Sequence, residues 1–285
     1  RARHLPADPA MNERPLAIGC MRLSTEPDRN DERSIAVLHA AFDAGVTLLD
    51  TADAYCWDDS ETGHNERLIA TALATWPSDR SPIRIATKGG ITRPKGRWEP
   101  DGRAKHLIAA CERSCRALNV DAIDLYQLHT VDRKVPLEQS LGALKEMQDA
   151  GKIRHVGLSN VSTQEIERAR KILPIVSVQN EYNIQDRTSE GVLGYCEKES
   201  LGFIPWFPIG GGRGLKSENA VEIAARDHGV SVVQVALAWL LQRSPVMLPI
   251  PGTSSIAHLE ENVADAKIKL TLAEWKAIDA IAGQG

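Results

Sequence analysis

The sequence predicts an α/β protein built as a single TIM (β/α)8 barrel. Three observations carry that expectation. Short, nearly unbroken apolar runs alternate with longer stretches of helical periodicity along the chain. Eight such runs occur, at residues 16–20, 47–50, 83–87, 123–128, 155–158, 176–179, 203–205 and 246–250. Strands covered on both faces read in this way because neither face meets water. The length of 285 residues suits one such barrel, which takes roughly 250 residues.

Taken in order, residues 1–15 carry charge with no apolar stretch behind it, unlike a secretory signal. They are expected to form a loosely ordered N-terminal extension, with the barrel at 16–285. After the first run, Asp31 can cap a helix that carries Ile35, Leu38 and Phe42, and Gly45 can end it. Pro136 can open a helix with Leu137, Leu141, Leu144 and Met147 on one face, closed by Gly151. Thr163 starts another helix that stops before Pro174. Ser231 with Gln234, and Thr271 with Glu274, read as capping boxes. Three loops after strands look long, at 56–65, 92–103 and 208–219. They would rim one mouth of the barrel, where loops carry function.

Composition excludes several classes. With 34 Lys and Arg against 38 Asp and Glu, the net charge is −4 and no basic stripe offers a face to nucleic acid. No apolar run approaches the ~20 residues of a membrane span. The cysteines, Cys20, Cys56, Cys111, Cys115 and Cys196, are odd in number and contain no Cys-x-x-Cys, so neither a disulfide framework nor a metal site is expected. Free thiols point to a reducing compartment, hence the cytoplasm.

The chemistry lies where strands end. Asp50 and Tyr55 follow the second run, Lys88 ends the third and His129 ends the fourth. In a parallel barrel these ends share one mouth. A tyrosine is a weak acid with an ordinary pKa of about 10; a neighbouring cation favours its ionised form and makes it a proton donor. Lys88 can supply the cation, Asp50 can hold it, and His129 can orient a carbonyl. Taken singly, each has a plainer reading: a packing tyrosine, a solvated lysine, a structural histidine, a turn-capping aspartate. Their fall on consecutive strand ends favours the joint one.

These words, in this order, resemble the aldo-keto reductases: DTADAY at 50–55, ATKGG at 86–90, DLYQLH at 124–129, GKIRHVGLSN at 151–160, VQNEYN at 178–183 and PGTSSIAHLEEN at 251–262. The variant is closer to bacterial reductases and the channel β-subunit branch than to the aldose-reductase branch. The resemblance implies a catalytic set of Asp50, Tyr55, Lys88 and His129. It implies that Ser159, Asn160 and Gln179 hold a nicotinamide carboxamide, that Trp206 stacks on the ring, and that Phe207, Pro208, Ile209, Gly211 and Arg213 follow the cofactor. Gly252, Thr253, Ser254, Ser255, His258, Glu261 and Asn262 match its adenosine-phosphate segment. Many relatives have lysine in place of Gly252 and arginine in place of His258, so this chain lacks two cations that read a 2′-phosphate. Ser254, Ser255 and His258 can still bind one.

The implied function is NADPH-dependent reduction of an aldehyde or ketone, with NADH as the second candidate cofactor and a small carbonyl compound as partner. Trp57 and Trp98 are candidate substrate-pocket residues. The alternative is a regulatory subunit that binds the cofactor with little turnover, as channel β-subunits do. No Gly-x-Gly-x-x-Gly follows the first run, so a Rossmann site has no support.

Overall fold

The computed structural model describes residues 16–210, 220–264 and 268–283. The expected N-terminal extension, and Gly211 and Arg213, lie outside them. The strands are β1 (Leu16–Gly19), β2 (Val46–Asp50), β3 (Arg84–Gly89), β4 (Ile91–Thr92), β5 (Glu99–Pro100), β6 (Ile123–Leu128), β7 (Ile153–Ser159), β8 (Ser177–Gln179) and β9 (Gly202–Phe203). Seven of them make one parallel sheet in the order β1-β2-β3-β6-β7-β8-β9. β4 and β5 form a separate antiparallel ribbon above it.

The eighth run, 246–250, does not form a regular ladder. It makes one parallel bridge on each side, Phe203 to Met247 and Gly19 to Gly252, and so closes the ring between β9 and β1. The physical reason is proline: Pro249 and Pro251 have no N–H to give to a neighbour. The hydrogen bonds across the seam include Phe203 N–H to Val246 O and Leu248 N–H to Phe203 O, both 2.8 Å, on one side and Gly19 N–H to Pro251 O at 3.4 Å on the other. The fold is thus the (β/α)8 barrel.

Helices surround the ring: α1 (Arg22–Thr25), α2 (Asp31–Asp43), α3 (His64–Thr75), α4 (Ala104–Leu118), α5 (Leu137–Asp149), α6 (Thr163–Arg170), α7 (Glu190–Glu199), α8 (Ala220–His228), α9 (Val232–Arg243), α10 (Ile256–Ala264) and α11 (Leu272–Asp279). One cap differs from expectation. Asn30, in extended backbone, caps α2 by accepting from Arg33 N–H, and Asp31 is the first residue inside. As an acid in the first turn, Asp31 still favours the helix dipole. The two capping boxes are present, and Ser162 with Glu165 makes a third. Gly45 and Gly151 stop α2 and α5 at positive φ.

The main core lies between sheet and helices, where Leu38, Ile69, Leu107, Leu141, Leu144, Val156 and Leu193 are buried. A smaller cluster, Ala86, Leu125, Ile204 and Ile250, fills the barrel interior. All five cysteines are buried free thiols. Among the described residues, no helix is long and apolar enough to cross a membrane.

Candidate active site

Side chains alternate along a strand, so residues two apart face the same way. Leu48, Ala86 and Leu125 cluster in the barrel interior. Two positions further along, toward the C-terminal mouth, stand Asp50, Lys88 and Gln127. A polar layer therefore sits on an apolar one. Each member is hydrogen-bonded, as expected of buried polar groups, although Gln127 Oε1 has no partner. Lys88, fully buried, donates from Nζ to Asp50 Oδ2 at 2.7 Å, to the Thr51 carbonyl at 2.9 Å and to Tyr55 OH at 2.9 Å. Those three bonds use all three ammonium donors. Asp50 accepts further from Gln179 Nε2 at 2.8 Å and Gln127 Nε2 at 3.3 Å. Gln127 lies within the DLYQLH motif, yet nothing in its spacing distinguishes it from a core residue.

Electrostatics follow from this geometry. Burial works against charge on Lys88, but the Asp50 carboxylate and Tyr55 outweigh it and hold the ammonium above its ordinary range. Burial pushes the Tyr55 phenol up, with the Lys88 charge pulling the other way. The phenol therefore keeps its proton at neutral pH, beside a permanent cation. Burial, aided by the Lys88 charge, holds His129 well below the usual histidine range, so its imidazole is neutral and carries one N–H.

Tyr55, His129 and Trp98 enclose one end of a cleft. Their ring centroids lie 5.8 Å (Tyr55–His129), 6.2 Å (Tyr55–Trp98) and 6.3 Å (Trp98–His129) apart, each pair edge to face. The cleft, about 730 Å³, runs from there past Ser159, Asn160, Gln179 and Trp206 to the 252–262 segment. Asn160, in left-handed backbone at the end of β7, ties two sides together. Its Nδ2 donates to the His129 carbonyl at 3.0 Å, and its Oδ1 accepts from Trp206 Nε1 at 3.0 Å. The Trp206 indole is thereby held at one edge. Phe207, Pro208 and Ile209 continue the wall, Phe207 at a positive φ that is uncommon for an aromatic residue.

At the far end, Gly252, Thr253, Ser254, Ser255, His258, Glu261 and Asn262 line the cleft around the start of α10. Thr253 Oγ1 accepts from Ser255 N–H at 3.0 Å, which fixes the turn into that helix. Gly19, Met21, Arg22, Val233 and Ile250 also line the cleft. Sequence reasoning did not single them out, although Met21 and Arg22 directly follow the first strand, where a mouth residue is expected. Trp57 is half exposed and is not among the cleft's lining residues; Trp98 is.

A model of the aldo/keto reductase family matches residues 15–282. The chain belongs to that family. It is 40% identical over 270 residues to an uncharacterized oxidoreductase of Schizosaccharomyces pombe, covering 93% of this chain and 85% of the relative. It is 37% identical over 277 residues to pyridoxine 4-dehydrogenase of Escherichia coli, covering 93% and 94%. A crystal structure of an aldo/keto reductase from Klebsiella pneumoniae in complex with NADP and acetate superimposes with a TM-score of 0.79 at 26% identity, covering 94% and 90%. The aldo-keto reductase resemblance read in the motifs thus extends over almost the whole chain, and the chain is an oxidoreductase.

Proposed function

We propose that this protein reduces an aldehyde or ketone to the alcohol with NADPH, with Tyr55 as general acid. One observation carries the reading: the buried Lys88 ammonium touches both the Asp50 carboxylate and the Tyr55 hydroxyl, at 2.7 and 2.9 Å. A lysine that served only to neutralise Asp50 would not need to meet the phenol at the mouth.

The residues of the cleft fit a nicotinamide dinucleotide. A half-buried indole is fixed by Asn160 beside the reacting end, which suits stacking on a flat ring. Ser159, Asn160 and Gln179 offer an amide-binding set next to it. Ser254, Ser255 and His258 offer donors for a phosphate at the opposite end. The NADP held by the Klebsiella pneumoniae relative supports the phosphorylated form. When bound, the cofactor supplies a hydride from C4 of its nicotinamide to the carbonyl carbon.

The chain's own residues manage the proton and the charge. Tyr55 gives its proton to the carbonyl oxygen as negative charge grows there, a general-acid contribution of about 10²–10⁴-fold. Lys88 stabilises the phenolate left behind, and Asp50 keeps Lys88 in place. Neutral His129 donates a hydrogen bond to the same oxygen. Tyr55, His129 and Trp98 together limit the water that reaches the reacting atoms.

The test is aldehyde-dependent oxidation of NADPH by the purified protein, with dissociation constants for NADPH and NADH measured alongside. Turnover and tighter binding of NADPH are expected. Tight cofactor binding with no turnover across a panel of aliphatic and aromatic aldehydes would overturn the catalytic reading. Equal affinity for the two cofactors would overturn the preference for NADPH.

A further inference from the structure

We propose that Arg93 is a positioning residue: it fixes Trp98 against the reacting end of the cleft and so makes the site favour flat, aromatic carbonyl substrates. The inference rests on the carbonyl-reduction reading above.

Arg93 follows β4, and it is only 7% exposed. Its guanidinium donates from Nη1 to Ala54 O at 3.3 Å, from Nη2 to Trp57 O at 3.2 Å and to Gly96 O at 2.9 Å, and from Nε to Gly96 O at 3.2 Å. Its backbone is paired with Asp59 in both directions: the Arg93 N–H donates to Asp59 Oδ1 at 2.6 Å, and Asp59 N–H donates to Arg93 O at 3.1 Å. These partners lie on two segments. Ala54, Trp57 and Asp59 belong to the loop that carries Tyr55; Gly96 belongs to the turn between β4 and β5 that carries Trp98. The guanidinium carbon then lies 3.8 Å from the centroid of the Trp98 ring. One side chain thus joins the proton donor's loop to the tryptophan's turn and covers one side of the indole.

A buried guanidinium held by carbonyls alone is a costly way to tether a loop. Packing does not explain it, because Trp98 stays 45% exposed. What the arrangement achieves is orientation. Trp98 meets Tyr55 and His129 edge to face, with the Arg93 cation behind it, and its remaining surface lines the cleft. Trp98 is the cleft residue packed against both Tyr55 and His129, so the substituent of a carbonyl whose oxygen lies between those two has the Trp98 ring beside it. An aromatic substituent gains a ring contact there that a short alkyl chain does not. Lysine cannot replace Arg93, since a point ammonium neither stacks on an indole nor donates in a planar fork.

The experiment compares the NADPH-bound wild type with Arg93→Met, Arg93→Lys, Trp98→Leu and the Arg93→Met/Trp98→Leu double variant. The readouts are kcat and KM for benzaldehyde and propanal, the dissociation constant of benzyl alcohol, and Tm. In Arg93→Met, kcat/KM for benzaldehyde is expected to fall roughly tenfold more than that for propanal, mainly through KM. Arg93→Lys should not rescue it, and Arg93→Met should change the ratio no further once Trp98 is leucine. An unchanged benzaldehyde-to-propanal ratio in Arg93→Met overturns the proposal. So does a parallel loss of both activities that tracks Tm, the signature of a mere loop tether. Absence of turnover in the wild type would defeat the reaction assignment instead. Benzyl alcohol binding then decides: roughly tenfold weakening by Arg93→Met supports the proposal, and none refutes it.

Discussion

Removing Lys88 and removing the Tyr55 hydroxyl should cost activity alike, with the larger loss of stability on removing Lys88. Tyr55→Phe deletes a group bonded to Lys88 Nζ, and Lys88 keeps Asp50 and the Thr51 carbonyl. The stability lost is at most that of one hydrogen bond to a charged group, about 1.5–3 kcal/mol. Lys88→Met leaves Asp50, 2% exposed, without its cation. Breaking one side of a buried ion pair costs about 3–5 kcal/mol, or a fall in Tm of roughly 6–20 °C at 2–4 °C per kcal/mol. Gln179 and Gln127 still donate to Asp50, which places the outcome toward the lower end. Reduction should fall about 10²–10⁴-fold in both variants, equivalent to about 2.7–5.4 kcal/mol of barrier. Calorimetry gives Tm, steady-state kinetics gives kcat/KM, and NADPH titration checks that the cleft survives. A Lys88→Met protein that melts with the wild type would refute the buried-pair argument. A Tyr55→Phe protein keeping more than a tenth of wild-type kcat/KM would refute the general acid.

Two further outcomes concern pH. Because burial raises Tyr55 and lowers His129, the chemical step of reduction should show no break between the ordinary histidine value of ~6.5 and the ordinary tyrosine value of ~10; a titration within that window, measured on a slow aldehyde, would exclude the assigned protonation states. Asp53 is held well above the usual carboxylate range, first by burial and then by the Glu66 carboxylate. The folded state therefore keeps a proton that the unfolded state has released, so this group's contribution to stability falls as pH rises from its ordinary value through the folded one. Asp53→Asn should remove that slope, and an unfolding free-energy difference from wild type that is the same at pH 5 and pH 8, two values chosen above the ordinary ~3.9, would contradict it.

Much of this was legible in the chain. The alternation of apolar runs located the strands, and the polar residues closing them located Asp50, Lys88 and His129 at one mouth. That legibility has a physical basis: a strand's period of two forces Asp50 and Lys88 to face inward above Leu48 and Ala86. What escaped the sequence depends on partners that carry no side-chain signature. Arg93 finds its place through the carbonyls of Ala54, Trp57 and Gly96, and any residue has a carbonyl. Asn160 was singled out for the carboxamide, but its bonds to the His129 carbonyl and the Trp206 indole need the fold to be seen. Trp57 and Trp98 looked equivalent as loop tryptophans; only the turn at Gly96 and the Arg93 guanidinium separate one from the other.

Gly252 stands at the seam that closes the barrel. Gly252 bridges Gly19, and a Cβ on Gly252 would sit 3.0 Å from the Gly19 carbonyl oxygen. A Cβ on Gly19 would sit 2.8 Å from the Ile250 carbonyl oxygen. With Pro249 and Pro251 withholding donors, the seam relies on close backbone approach, including Gly19 N–H to Pro251 O at 3.4 Å. A side chain at 252 would need the Gly19 backbone to give by a few tenths of an ångström. The same seam carries β1 into Met21 and Arg22, and Arg22, with its side chain 43% exposed, is the one arginine or lysine among the described residues lining the cleft. Among the described lining residues, a fixed positive charge thus stands at the start of the barrel, where Arg22 also faces Glu26 at 3.9 Å, rather than at position 252.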